Sequence, residues 1–236
     1  MVMTQLNDLL TTAKRIVFLT GAGVSTASGI PDYRSKNGLY ANKRRPEYLL
    51  SHTCLVKEPE VFYEYLKTNL YYPKAKPNII HEKMAAFSKA KRATIITQNI
   101  DGLHAKAGSD LERLVEFHGN LYDLYCQKCG QTVTYKTYLK NMYHQGCGGI
   151  LRPDVVLYEE GIKQARLNQA LTALSQADLV VVCGTSFVVY PFAGLIQYRS
   201  PKAKVVAVNK EVISLPSDGI MIQGDAVKEF AQVDNP

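Results

Sequence analysis

The chain has 236 residues, 46% of them hydrophobic, which is enough to bury one large core or a core with a small satellite. That composition excludes a disordered or collagen-like chain. Lys and Arg outnumber Asp and Glu by 28 to 21, a formal charge of +7, yet the basic residues are dispersed and the longest run is only Lys43-Arg44-Arg45; such a surface favours an anionic ligand without forming a nucleic-acid stripe.

Thr4 to Lys14 is polar and amphipathic and reads as a helix. It lacks the apolar centre of a signal peptide, and no apolar run approaches the roughly 20 residues of a membrane span, so the expectation is a cytoplasmic protein. Arg15 to Thr20 (RIVFLT) is a buried-strand run that stops at Gly21-Ala-Gly23 and leads into a second predicted helix, the opening of a βαβ unit. Ser35 to Lys57 breaks the rhythm, with mixed polarity and Pro46. Helical patterns follow at 61–70 and 79–90, a strand at Ala93 to Thr97, a helix at 162–176, and strands at Leu179 to Cys183 and Lys204 to Val208. Strands alternating with helices specify an α/β fold, a parallel sheet with helices on both faces. Ligands of such sheets sit outside the carboxyl ends of the strands. Here those ends carry Gly21, Gln98 with Asn99, Gly184 with Thr185, and Asn209.

Residues 126–152 have a different texture, with cysteines, tyrosines and glycines and no long apolar period. Cys126 and Cys129 form a CxxC knuckle; His144 and Cys147 form an HxxC knuckle after fourteen intervening residues. Two facing knuckles supply four N/S ligands, the set that holds one structural zinc ion with no open position; a site of the three cysteines with another donor in place of His144 is the alternative. So short a module draws its folding energy from the metal. Gly130 and Gly148 follow the knuckles and let the chain turn. An odd total of five cysteines suits metal binding in a reducing compartment better than disulfides. Cys54 and Cys183 stand alone, and Cys183 reads as a small core residue.

The glycines of Gly21-Ala-Gly23 admit a phosphate to the backbone, with the amides of the following helix behind it. The third glycine of a dinucleotide fingerprint is replaced by Thr26, and no acidic residue closes a second strand about 20 residues on. The turn therefore predicts a pyrophosphate site without hydride transfer, which disfavours a dehydrogenase.

Residues 21–35 read GAGVSTASGIPDYRS, 98–104 read QNIDGLH, His118-Gly119 follows a strand-like segment, and 184–186 read GTS. With the paired knuckles, this ordered set resembles the sirtuin family, and its bacterial branch, over nearly the whole chain. The resemblance implies a single catalytic unit in which 1–34, 72–122 and 154–236 form the Rossmann-like NAD-binding domain, and 35–71 with 123–153 form the small domain. It implies an NAD-dependent lysine deacetylase or deacylase: the acyl oxygen attacks C1′ of the nicotinamide ribose, nicotinamide leaves, and O-acyl-ADP-ribose is released. The implied general base is His118, whose ordinary pKa near 6.5 suits the task, with Asn99 and Asp101 as further catalytic residues. Ala22, Gly23, Thr26 and Gln98 line the cofactor, Tyr33 covers the reactive ribose face and Arg34 pairs with phosphate. Asn99 holds ribose or a water; Asp101, with Ile100 beside it, accepts from the nicotinamide amide. Thr185, Ser186, Asn209, Asp225 and Ala226 take the adenosine half. Val155 to Tyr158 and Val188 to Tyr190 would grip the peptide as added strands. Taken singly, Asp101 reads as a turn or cap residue, His118 as a core histidine and Arg34 as a surface charge; the ordered set reverses those readings. His52, His81 and His104 are given no functional role.

Three positions depart from the family pattern. Tyr33 replaces the usual Phe, His144 replaces a cysteine, and Glu159 replaces a glycine near the peptide cleft, where it would favour basic residues around the target lysine. Desuccinylating relatives carry Tyr-x-x-Arg; here Tyr63 is followed by Leu66, so acetyl and longer apolar acyl groups are expected over succinyl. The partners expected are acyl-lysine side chains of proteins, with no stable nucleic-acid binding, no membrane and a monomeric state. The alternative activity is protein ADP-ribosyltransfer from the same NAD site, and the intact His118 favours deacylation over it.

Overall fold

The computed structural model describes residues 4–32 and 46–236. Nine strands occur among them: β1 (Ile16–Thr20), β2 (Ala93–Thr97), β3 (Leu114–Glu116), β4 (Gly119–Cys126), β5 (Thr132–Val133), β6 (Leu151–Val155), β7 (Leu179–Cys183), β8 (Lys204–Asn209) and β9 (Ile220–Gln223). Six form one sheet in the order β3-β2-β1-β7-β8-β9, every pair parallel. The other three form an antiparallel sheet, β5-β4-β6.

Parallel strands need crossovers, and the helices that supply them cover both faces. Along β1, successive side chains point to opposite sides, so Ile16 and Phe18 enter one core while Val17 and Leu19 enter the other. The first core packs the helices Gln5–Thr12, Ile79–Lys89 and Ala226–Ala231 through Leu6, Met84, Phe87 and Phe230. The second packs Gln164–Gln176 and the turn Ala193–Tyr198 through Leu174, Phe192 and Leu195. A third core lies away from the large sheet, where Leu55, Phe62, Leu66 and Tyr138 pack against β4 and β6.

The helix expected after β1 is absent. Two single 3₁₀ turns, Ala22–Val24 and Thr26–Ser28, stand there, and the second ends at Gly29 with φ 82°. Hydroxyl side chains explain the difference: Thr26 Oγ1 donates to Gly23 O at 3.0 Å, a local bond that competes with helix propagation. The other expected helices and strands fall within a few residues of their predicted bounds. No helix among the described residues is long and apolar enough to cross a membrane.

Register positions the site. Thr20 stands opposite Thr97 on one side and Cys183 on the other, so β1, β2 and β7 end level. The residues that follow, Gly21, Gln98 and Gly184, share one rim.

Candidate active site and metal centre

At that rim the β1 and β7 turns touch through backbone alone. Gly23 donates its N–H to Gly184 O at 2.7 Å, and Gly21 donates to Cys183 O at 3.2 Å. A Cβ on Gly23 would lie 2.7 Å from Gly184 O, and one on Gly21 would lie 2.7 Å from Thr185 Cβ. The glycines are thus required for turn-to-turn packing, beyond any approach to phosphate.

The closed rim floors a cleft of 880 Å³. Ala22, Gly23 and Thr26 line it from the β1 turn, and Gln98, Asn99 and Ile100 from the end of β2. Thr185, Ser186 and Asn209 line it from the ends of β7 and β8, and Asp225 and Ala226 from the segment after β9. Gln98 Nε2 donates to Thr185 Oγ1 at 3.0 Å, which ties the two sides together. Asp225 also accepts from Val227 N at 2.9 Å as a helix cap. Tyr33 and Arg34 lie outside the described residues.

His118 sits just before β4 and also lines the cleft. Its Nδ1 is 3.2 Å from Gln98 O. A carbonyl only accepts, so Nδ1 carries the proton and Nε2 presents a lone pair. Phe117 and Phe192 pack against the ring. Burial holds its pKa below the ordinary histidine value, against the Gln98 hydrogen bond and helped by the charge of Arg166. The imidazole is therefore neutral at pH 7 and fit to accept a proton.

Asp101 faces a smaller, mostly apolar pocket that adjoins the cleft, shared with Ala22, Ser25, Asn99 and Ile100. Its Oδ1 accepts from Leu103 N at 2.8 Å, the capping bond expected of an isolated Asn-Ile-Asp-Gly. Its Oδ2 accepts from Ser25 Oγ at 2.7 Å. Burial raises its pKa, opposed by both hydrogen bonds. Asn99 Nδ2 donates to Gly21 O and to Ser25 Oγ, each at 3.1 Å, so both its hydrogens are used and Oδ1 remains as the acceptor. Ser25 and His81 were invisible as site residues in the sequence. His81 Nδ1 accepts from Asn78 N, which leaves the ring proton on Nε2, 3.4 Å from Ser25 Oγ. Ser25 is buried and joins three chain segments; its place inside the GAGVS motif was the only signal for it. His104, also buried, bonds Thr20 Oγ1 at 3.1 Å and packs on His81.

One end of the cleft is apolar, with Leu50, Leu66, Val155 and Leu157. Tyr63 turns away from it and packs edge-on against Tyr138 at 5.0 Å. Among the expected peptide-gripping residues, Val156 donates its N–H to His118 O, Leu157 to Glu160 Oε2 and Tyr158 to Leu50 O, so the N–H groups of 156–158 are all engaged within the chain.

The two knuckles converge. The ligand atoms of Cys126, Cys129, His144 and Cys147 all lie within 4.8 Å of one another. Cys126 Sγ and Cys147 Sγ are 3.4 Å apart, Cys129 Sγ is 3.4 Å from His144 Nδ1, and that nitrogen is 3.3 Å from Cys147 Sγ. Ligand atoms of a tetrahedral zinc stand about 3.5–3.8 Å apart, so the set fits one zinc ion with His144 bound through Nδ1. Gly130 and Gly148 adopt φ 73° and 67° after their knuckles.

The Sir2 family model matches residues 21–191. An NAD-dependent protein deacetylase of Listeria monocytogenes (serotype 4b, strain F2365) is 61% identical over 98% of this chain and 100% of its own length. One from Lactiplantibacillus plantarum is 58% identical over 98% of both chains. Among solved structures, a Sir2 variant with a deacetylated peptide and 3′-O-acetyl-ADP-ribose superposes with a TM-score of 0.88 at 32% identity, covering 98% of this chain and 97% of that one. A Sir2 complex with a peptide and NAD gives a TM-score of 0.84 at 34% identity, with the same coverage.

Proposed function

The chain belongs to the Sir2 family, and from that premise we propose that it is an NAD-dependent protein lysine deacetylase in which His118 is the general base. The observation that carries the role of His118 is its tautomer: Nδ1–H is spent on Gln98 O, and the Nε2 lone pair belongs to a residue lining the cleft. NAD, when bound, supplies an electrophilic C1′ and a ribose hydroxyl that receives the acyl group. The chain's residues do the rest. His118 Nε2 takes the proton of a ribose hydroxyl. Asn99 Oδ1 accepts from ribose or an ordered water, and Asp101 accepts from the carboxamide of the nicotinamide. Ala22, Gly23, Thr26 and Gln98 border the dinucleotide, with Tyr33 and Arg34 assigned to its ribose face and phosphate. Thr185, Ser186, Asn209, Asp225 and Ala226 hold the adenosine half. Cys126, Cys129, His144 and Cys147 hold one zinc ion as a closed set of four, which leaves it structural.

We divide the chain as the sequence suggests, with the small domain at 35–71 and 123–153; the separate core around Phe62 and Tyr138 supports that division. Acyl-lysine side chains of proteins are the substrates, and apolar walls at Leu50, Leu66 and Leu157 favour acetyl and longer apolar acyl groups. A cytoplasmic, monomeric enzyme without stable nucleic-acid binding completes the reading, supported by the dispersed basic residues.

The test is mass spectrometry of an acetyl-lysine peptide incubated with NAD. Nicotinamide, deacetylated peptide and O-acetyl-ADP-ribose are expected in equal amounts, and His118→Ala should lower the rate about 10²- to 10⁴-fold. Radiolabel passing from NAD to protein without O-acetyl-ADP-ribose would replace the reading with ADP-ribosyltransfer.

A further inference from the structure

Glu159 occupies a backbone position that side chains avoid. Its φ is 75°, in the left-handed region where glycine is unstrained. Strain of this kind persists only where neighbours fix it, and it gathers at functional sites. The residue lies on the lip of the cleft, directly after the segment 155–158 assigned to the peptide, and its side chain is exposed. Thr53 fixes it: both Thr53 N and Thr53 Oγ1 donate to Glu159 Oε2, at 2.9 and 2.7 Å. Those bonds, helped by the charges of His52 and Lys57, hold its pKa below the usual glutamate value. Glu159 is thus ionised and held in one direction, and its Oε1 has no partner among the described residues.

Its neighbouring carboxylate is already spent. Glu160 takes Arg152 Nη1 and Nη2 at 2.8 and 3.0 Å and also accepts from Leu157 N. Asp154, at the other end of the segment, is shared by Lys163 and Arg166. Of the three carboxylates along 154–160, Glu159 is thus the one with no ion pair among the described residues. The protein as a whole carries +7 and repels a basic peptide at long range. Any preference for such a peptide must come from a carboxylate within a Debye length, about 8–10 Å at ordinary salt.

We propose that Glu159 is a specificity-determining residue that selects acyl-lysines flanked by lysine or arginine. The proposal rests on the deacetylase reading for the identity of the cleft. Exposed aromatic and apolar side chains nearby, Tyr158, Val188 and Tyr190, offer contacts to any sequence and so set affinity without setting charge.

The experiment uses two acetyl-lysine peptides that differ only in flanking residues, arginine in one and glutamate in the other. Rates and fluorescence-anisotropy affinities are compared for the full chain, Glu159→Gln and Glu159→Gly. The unaltered protein should favour the arginine peptide by roughly two- to fivefold at low salt, the range of an exposed ion pair. The ratio should approach one in both variants and shrink in high salt. A residue that merely caps the helix at Thr53 would, on substitution, weaken both peptides alike and leave the ratio intact; that result overturns the proposal. Absence of turnover with the anisotropy preference retained would overturn the deacetylase reading and support the role of Glu159, so the two failures are distinguishable.

Discussion

Gly23→Ala tests whether the cofactor cleft depends on direct contact between the β1 and β7 turns. The added Cβ would meet Gly184 O at 2.7 Å and Gly184 Cα at 2.8 Å, both backbone atoms that cannot swing aside. Ordinary contact needs about 3.4 Å or more, so the turns must part by about 0.7 Å. Overpacking of this kind costs about 1–3 kcal/mol. Parting also stretches the Gly23 N–H bond to Gly184 O, whose loss costs about 1 kcal/mol. The sum, about 2–4 kcal/mol, is a large share of the 5–15 kcal/mol typical of folded domains. With a urea slope near 3 kcal/mol/M, the unfolding midpoint should fall by about 1 M. The same movement tilts Ala22 away from Gln98 and Thr185, so the NAD dissociation constant should rise as well. Urea unfolding by circular dichroism and NAD titration by calorimetry read the two effects. A variant with unchanged midpoint and unchanged NAD affinity would refute the packing argument.

Two further outcomes follow from the site's chemistry. Succinyl-lysine peptides should turn over at least tenfold more slowly than acetyl or propionyl peptides, because burying a carboxylate against Leu50, Leu66 and Leu157 without a cation exceeds the roughly 1.4 kcal/mol of a tenfold effect; comparable kcat/KM values would contradict this. Between pH 4.5 and 6.5 stability should rise with pH less steeply than the buried histidines alone would make it, because burial lowers His81, His104 and His118 while Glu116 opposes them there. Burial lowers His81 to about 4, so the unfolded chain holds the extra proton from 6.5 down to 4, and stability rises with pH by about 3 kcal/mol in all. Burial raises Glu116 to about 7, so the fold holds its extra proton from 4.5 up to 7, and stability falls with pH by a similar amount. Glu116→Gln should therefore steepen the rise of stability with pH in urea unfolding by up to about 1.4 kcal/mol per pH unit, and an unchanged slope in that variant would refute the assignment.

The central strands were legible because burial on both faces forces a continuous apolar, β-branched run. Ala93–Thr97 and Leu179–Cys183 match the sequence reading to the residue. The edge strands were harder. Ile220–Gln223 is only half-buried along most of its length and offers a run of just three apolar residues, Ile220, Met221 and Ile222. The turn after β1 misled for a different reason: glycine and hydroxyl residues in GAGVSTASG satisfy backbone groups locally, which periodicity does not register. The four residues of the Cys/His cluster stood out by their spacing, since two short knuckles encode their own geometry. Ser25 and His81 did not, because each acts through partners about 50 to 75 residues away that only the folded sheet brings near.

What joins these cases is strand register. Motifs far apart in the chain meet because β1, β2 and β7 pair without offset and end at one level. Each then contributes what its own ending allows: β1 a glycine turn that approaches backbone, β2 the Gln98-Asn99 pair, β7 a glycine with φ 60° and then Thr185. Slipping β2 by one residue against β1 would put alternate side chains on the wrong face and move Gln98 O away from His118 Nδ1. The tautomer of the His118 ring is therefore a consequence of sheet packing, set some distance from the imidazole itself. It follows that a core substitution in β2, such as Ile96→Ala, should weaken the orientation of His118 without touching it.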